Sequence, residues 1–289
     1  GAQSFYQPRT IESAVAFKSQ HPNCIVLAGG TDIGVQVNKG TRSCEAVLSV
    51  SAIADFTGLN MTDDEIVAGG GATLTDLERA TTDIFPQFHQ MLARHGSPLI
   101  RNAGTLAGNI ANGSPIADAL PALYVLNGEI ELTGVNGVRR ININQFYTGY
   151  KRTVITADEL ITAVRIPRPR DGEILRLYKV SKRFDVDIST FTAAIWLKLD
   201  GATIADARIA CGGVGPNILR LPRTEALLRG RSIGEELFHR AGLLARSEIT
   251  PISDVRGSTD YRYQLAQNIL LKFYFELPST LVPLESVVE

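Results

Sequence analysis

The sequence predicts an α+β chain in two parts, a mixed strand-and-helix part followed by a smaller part of strands and then helices. Three observations predict this. At 289 residues with 44% hydrophobic content, the chain can fill one large core or two ordinary ones. The run Pro167-Arg-Pro-Arg-Asp-Gly172 is the strongest punctuation in the sequence and sets a boundary there, giving 1–170 and 171–289. Before it, short apolar runs alternate with capped helical patterns; after it come three strand-like runs and then helical ones.

Ser4-Phe-Tyr-Gln-Pro8 is a short strand stopped by proline. Thr10 is a helix N-cap, and Ile11, Ala14, Val15 and Phe17 share one face of the helix that follows. Pro22-Asn23 breaks it. Cys24-Ile-Val-Leu-Ala28 is a continuous apolar run of strand length, expected to be a buried strand. Ala46–Val50 and Glu65–Ala68 are further strands. Thr73 or Thr75 caps a helix expected to continue through Phe85 to Arg94 and to end at Ser97-Pro98. Ala119–Leu126 is a helix with Pro121 in its first turn. Glu129–Leu132 and Val138–Ile143 flank Gly134-Val-Asn-Gly137 as a hairpin. Glu159–Ile166 is a strand ended by Pro167. Beyond the boundary, strands are expected near Leu175–Val180, Ser189–Leu199 and Ala205–Cys211. Helices follow around Thr224–Leu228, Glu235–Ser247 and Tyr261–Phe275, the last with Leu265, Ile269, Leu270 and Phe273 at helical spacing.

Several function classes lose support. The formal net charge is −1 with lysine and arginine dispersed, so no basic stripe points to nucleic acid. No apolar run approaches a membrane span of roughly 18 residues, and Gly1–Pro8 lacks the charged and apolar regions of a signal peptide. The cysteines Cys24, Cys44 and Cys211 form no CxxC pair, which suits a reducing, cytoplasmic compartment and argues against an iron–sulfur or zinc site in this chain. The four histidines never fall at metal-ligand spacing. Of these His95 stays open, because it immediately precedes a glycine-rich segment. No G-x-S-x-G elbow or Cys–His pairing offers a nucleophile, and Asp63-Asp64 reads as solvated charge in a turn, so no catalytic residue is assigned.

Two glycine-rich segments carry the functional signal. Gly29-Gly30-Thr31-Asp32 follows an apolar strand, the arrangement of an anion-binding nest, yet matches neither G-x-G-x-x-G nor a P-loop. Arg101-Asn-Ala-Gly-Thr-Leu-Ala-Gly-Asn-Ile-Ala-Asn-Gly-Ser-Pro-Ile-Ala-Asp118 combines glycines, amides and hydroxyls with apolar Leu106, Ile110 and Ile116. By itself it reads equally as a ligand loop or an irregular structural turn. Together the segments suit a ligand with a diphosphate and many hydroxyls: FAD, NAD or a sugar nucleotide.

Leu27-Ala-Gly-Gly-Thr-Asp32, Arg101–Asn109 and Ser114-Pro-Ile-Ala-Asp118 closely resemble the FAD domain of molybdenum hydroxylases, and within them the xanthine dehydrogenase branch. Cys211-Gly-Gly-Val-Gly-Pro216 and Asp254–Arg262 are similar to motifs of that family's C-terminal module. The resemblance covers nearly the whole chain. It implies a p-cresol methylhydroxylase/vanillyl-alcohol-oxidase-type FAD domain of two α/β subdomains, about 1–55 and 56–170, followed by a C-terminal domain like that of the carbon monoxide dehydrogenase flavoprotein. It implies that Ala28, Gly29, Gly30, Thr31, Asp32 and Ile33 grip the pyrophosphate. Thr105, Gly108, Asn109, Asn112 and Asp118 would bond diphosphate, ribityl or ribose groups. Ile161 would lie near the cofactor, His95 and Lys179 near the flavin, and Lys182–Ile188 where an acceptor approaches. The implied role is electron transfer: a purine such as hypoxanthine or xanthine is hydroxylated at a molybdenum cofactor elsewhere. Electrons then pass through 2Fe-2S clusters of partner domains or subunits to this FAD and on to NAD+.

Overall fold

The computed structural model describes residues 4–278, so the first and last residues of the two expected domains lie outside the described residues. Two compact units form: Gly1–Ser114 with Leu126–Arg168 and Phe184–Val186, and Pro115–Val125 with Pro169–Arg183 and Asp187–Glu289.

The first unit begins with β1 (Ser4–Tyr6), α1 (Ile11–Gln20), β2 (Ile25–Leu27), α2 (Ile33–Asn38) and β3 (Ala46–Ser49). Thr10 accepts from the Ser13 N–H and caps α1 as expected. The strands make a parallel sheet in the order β1-β3-β2. The Cys24–Ala28 run is therefore an edge strand rather than a buried central one: Ile25 is buried, while Val26 and Leu27 are half-buried. Apolar runs of this length cannot distinguish the two, because an edge strand can lend its open side to a cavity.

The same unit continues with β4 (Leu59–Met61), β5 (Glu65–Gly69), α3 (Leu74–Ala80), α4 (Pro86–Ala93), α5 (Pro98–Arg101) and α6 (Leu106–Asn112). After α7 (Leu120–Leu126) come β6 (Glu129–Gly134), β7 (Gly137–Asn142), β8 (Tyr147–Gly149), β9 (Arg152–Thr153) and β10 (Leu160–Pro167). An antiparallel sheet runs β4-β5-β10-β6-β7. The hairpin at 134–137 forms as expected. Thr73 caps α3 in a reciprocal capping box with Asp76. The helix expected through to Arg94 is broken instead: α3 stops at Ala80, and Pro86 starts α4 at its first turn, where a missing N–H costs nothing. Ser97 does not end a helix; its side chain accepts from the Ile100 N–H and opens α5.

The second unit holds β11 (Glu173–Val180), β12 (Phe191–Asp200), β13 (Thr203–Gly212) and β14 (Leu219–Arg220), hydrogen-bonded antiparallel in that order. Helices α8 (Pro222–Leu228), α9 (Glu235–Arg246) and α10 (Thr259–Phe275) follow. The core joins Phe191, Ile195, Leu197 and Ile209 of the sheet to Phe238, Ala241, Ile269 and Phe273 of the helices. A Cβ at Gly242 would lie 2.3 Å from the Gln267 carbonyl oxygen, so glycine sets how closely α9 meets α10. At the start of α10, Arg262 is 2% exposed. It donates to the carbonyls of Thr190 and Ile252 and to the Asp254 carboxylate. Arg262→Leu would leave the Thr190 and Ile252 carbonyls without this donor, while Asp254 keeps its bond from Arg256, so the chain should lose about 1–3 kcal/mol in denaturant unfolding.

Candidate functional site

The site is assembled where the two glycine-rich segments dock on each other. Gly30 takes the left-handed conformation, φ 70°, that turns the chain from β2 into α2. Beside it, a Cβ at Gly29 would sit 1.7 Å from the Ala103 carbonyl oxygen and 2.9 Å from the Gly104 nitrogen. No side chain fits there, so glycine at position 29 is required by backbone meeting backbone. A third strand of chain joins them: the Leu74 N–H donates to the Gly104 carbonyl at 2.9 Å, and Thr75 Oγ1 donates to Asn102 Oδ1 at 2.7 Å.

The segment read as a loop contains helix α6. Thr105 is its N-cap, accepting from the Gly108 N–H at 2.9 Å, and Gly113 ends it at φ 61°. The Tyr147 hydroxyl donates to the Ile110 carbonyl at 2.7 Å and pins the C-terminal end. Leu106 and Ile110, one turn apart, are buried in the core. That fixes the opposite face, carrying Gly108, Asn109 and Asn112, toward a cavity. Ahead of α6, the buried Arg101 donates to Glu78 at 2.7 Å and to the His95 carbonyl at 3.4 Å, holding the His95 turn in place. Against α6, β10 carries a bulge between Ile161 and Ala163, and a Cβ at Gly70 would meet the Ile161 carbonyl at 2.3 Å. The bulge and the glycine together aim Ile161 at the cavity.

The cavity has a volume of about 370 Å³ and lies within the first unit, within the range of small-molecule and cofactor sites. It brings together Ala28, Gly29, Gly30, Thr31, Asp32, Ile33, His95, Thr105, Gly108, Asn109, Asn112 and Ile161. It does not include Asp118 or Lys179. These belong to the second unit and pair with each other, Nζ to Oδ2 at 2.7 Å, with the Ser189 hydroxyl on the other Asp118 oxygen. From the segment 182–188, Phe184–Val186 belong to the first unit, and the Arg94 guanidinium lies 4.7 Å over the Phe184 ring.

The chemistry of the lining selects an anionic, hydrogen-bonding ligand. Among the described residues, the backbone N–H groups of Thr31, Asp32 and Ile33 donate to no backbone carbonyl; at the start of a helix such groups await an acceptor. Asp32 does not cap α2 but accepts from the Gln36 amide. Glu159 is neutralised by two bonds from Arg139, 2.6 and 2.8 Å, and a third from the Thr156 N–H. The cations Lys18 and Arg42, which have no carboxylate partner among the described residues, remain on the lining. One buried acceptor, Asn109 Oδ1, has no partner among the described residues. A buried orphan of this kind calls for a donor, and a ribose or ribityl hydroxyl is one. The residues present therefore fit a dinucleotide diphosphate. Sequence reasoning missed Lys18, Cys24, Arg42 and Glu159. Only Lys18 left a signal: it follows Ala14 and Val15 by four and three residues, placing it on the buried face of α1.

A family model described as the FAD binding domain in molybdopterin dehydrogenase matches residues 2–169. The chain belongs to that family. A second model, the CO dehydrogenase flavoprotein C-terminal domain, matches residues 176–277. This flavoprotein chain is 28% identical over 93% of its length to a xanthine dehydrogenase/oxidase of Gallus gallus, of which it covers 21%. It is 25% identical over 94% of its length to a xanthine dehydrogenase FAD-binding subunit of Escherichia coli O157:H7, covering 95% of that chain. It thus spans about a fifth of the long relative and nearly all of the short one. A solved CO dehydrogenase from Oligotropha carboxidovorans superposes with a TM-score of 0.87 at 28% identity, covering 94% of this chain and 96% of the other. FAD as the cofactor and the expected two-part α+β fold agree with these matches.

Three outcomes are expected. Asn109→Ala removes only a ligand contact, so FAD affinity should fall by about 1–3 kcal/mol in a fluorescence titration while the apoprotein melts no lower. Thr105→Ala also removes the cap of α6, so the apoprotein itself should lose about 0.5–2 kcal/mol in denaturant unfolding. The third concerns Glu159, whose carboxyl is held below the usual glutamate range chiefly by the Arg139 bonds, against the opposing effect of burial. A depressed folded pKa stabilises above the unfolded value of about 4.3 and ceases to as pH falls through the folded one. Glu159→Gln should melt lower than the parent at pH 7, with the gap closing below about pH 4.

Proposed function

We propose that this chain carries the FAD of a molybdenum hydroxylase of the xanthine dehydrogenase type. In this reading it receives electrons from 2Fe-2S clusters in partner domains or subunits and delivers them to NAD+. The oxidised substrate, a purine such as hypoxanthine or xanthine, reacts at a molybdopterin centre in a partner, not here. The observation that carries the reading is the cavity built by Gly29–Ile33 and the Asn109 face of α6, with N–H donors, two cations and one orphan acceptor on its wall. The likeness to a bacterial xanthine dehydrogenase FAD-binding subunit supports the electron-transfer role.

Bound FAD supplies the redox chemistry, interchanging one- and two-electron carriers. The chain's own residues bind and orient it. Helix-start N–H groups at Thr31–Ile33 hold phosphate oxygens, and Asn109 accepts from a hydroxyl. Arg42 offsets anionic charge, while Ile161 and Leu160 exclude water from the wall formed by β10. Phe184, stacked under Arg94, marks the segment assigned to acceptor approach.

A second reading keeps the electron-transfer role but changes substrate and acceptor. It is favoured by the match of residues 176–277 to the CO dehydrogenase flavoprotein module, and it takes carbon monoxide, an aldehyde or a heteroaromatic compound as substrate. The test is to load the chain with FAD, reduce it anaerobically and mix it with NAD+ in a stopped-flow instrument. Rapid reoxidation by NAD+ is expected. No reaction with NAD+ but fast reaction with oxygen or a quinone would overturn the NAD+ assignment.

A further inference from the structure

Lys18 has no role in the fold equal to its burial. It is 8% exposed, near the C-terminal end of α1, yet among the described residues its ammonium makes a single hydrogen bond, to the Pro22 carbonyl at 2.8 Å. It takes part in no ion pair among the described residues. An ammonium has three donors, and a buried one with two unused is costly unless a ligand completes it. Lys18 lines the cavity, beside Cys24, Val26, Val50, Phe56 and Leu160. All of these but Val26 are buried, whereas Asp32, Arg42 and Gly108, which line the same cavity, are exposed. Cys24, Val50, Phe56 and Leu160, with Val26 packed on them, form one apolar cluster with Ala14 and Val15 of α1, so the part of the cavity that holds Lys18 is buried and largely apolar.

FAD has two flat ends with different needs. The isoalloxazine must exchange electrons with partners, so it requires access. The adenine requires none, and its ring combines apolar faces with nitrogen acceptors at N1, N3 and N7. A buried apolar pocket with one spare ammonium matches the adenine. Resting on the FAD reading above, we infer that Lys18 is an adenine-recognition residue. Its ammonium donates to a ring nitrogen of the cofactor's purine, while Val26, Val50, Phe56 and Leu160 cover the ring. The AMP half of FAD is then anchored by a cation that none of the glycine motifs contains.

The experiment titrates FAD-stripped chain with FAD and with ADP, comparing the parent with Lys18→Met, and follows the thermal melt of each apoprotein. Lys18→Met should bind both FAD and ADP about ten- to a hundredfold more weakly, with the apoprotein still melting cooperatively. As a check independent of the variant's folding, the parent is titrated with ADP analogues in which N1, N3 or N7 of the purine is replaced by carbon. One of the three should lose at least tenfold, and the other two should bind like ADP. Parent-like FAD and ADP binding by a folded Lys18→Met, or three deaza analogues that all bind like ADP, would overturn the role of Lys18. Failure of the parent chain to bind FAD at all would instead overturn the FAD reading, and this inference with it.

Discussion

The contact between Gly29 and the Ala103–Gly104 backbone sets the geometry of the whole site. A single Cβ at position 29 would come within 1.7 Å of a carbonyl oxygen, a separation that no side-chain rearrangement can relieve, because both partners are main chain. That approach locks the turn after β2 to the segment leading into α6. The 2.9 Å bond from Leu74 to the Gly104 carbonyl ties the start of α3 to the same point. Three stretches distant in sequence thus share one rigid corner, and the cavity is the space left between that corner and the bulged strand β10. The glycines here serve chain-to-chain packing first, and ligand clearance follows from it.

Helix α6 converts this packing into chemistry. Its ends are fixed by the Thr105 cap, by Gly113 and by the Tyr147 hydroxyl, and its apolar side by Leu106 and Ile110. Little freedom remains for the face that carries Asn109. An acceptor left without a partner on so constrained an element is a preorganised contact, whose desolvation has been met during folding and is recovered on binding. The same holds for the helix-start N–H groups after Gly30. The wall therefore favours a ligand bearing phosphates and hydroxyls before any ligand arrives.

Most strands and two of the capped helices were legible in the sequence because local rules govern them: Thr10 and Thr73 sit at helix starts, and Gly134–Gly137 makes its hairpin, whereas Ser97, expected to end a helix, caps one instead. Helix α6 was hidden because Gly108, Asn109 and Asn112 are poor helix formers. Its cap and its buried i, i+4 pair were present but outweighed. The edge position of β2 was not readable, since which strand lies outermost depends on pairing between distant segments. Within the candidate site, most residues of the two motifs line one cavity. The motif ending at Asp118 is continuous in sequence but passes at Pro115 into the second unit, where Asp118 meets Lys179. Linear proximity could not reveal that division. Arg42 and Glu159 carried no pattern at all, because their places on the wall arise from the tertiary fold.

The central claim is that Gly29–Ile33 and the exposed face of α6 form one preorganised FAD site. Amide hydrogen exchange of the chain with and without FAD tests it most directly. The account predicts that FAD slows exchange at Thr31–Ile33 and in the first turn of α6 together, at one FAD per chain, with β11–β13 unchanged. Protection of only one of the two segments, or protection confined to other parts of the chain, would contradict it.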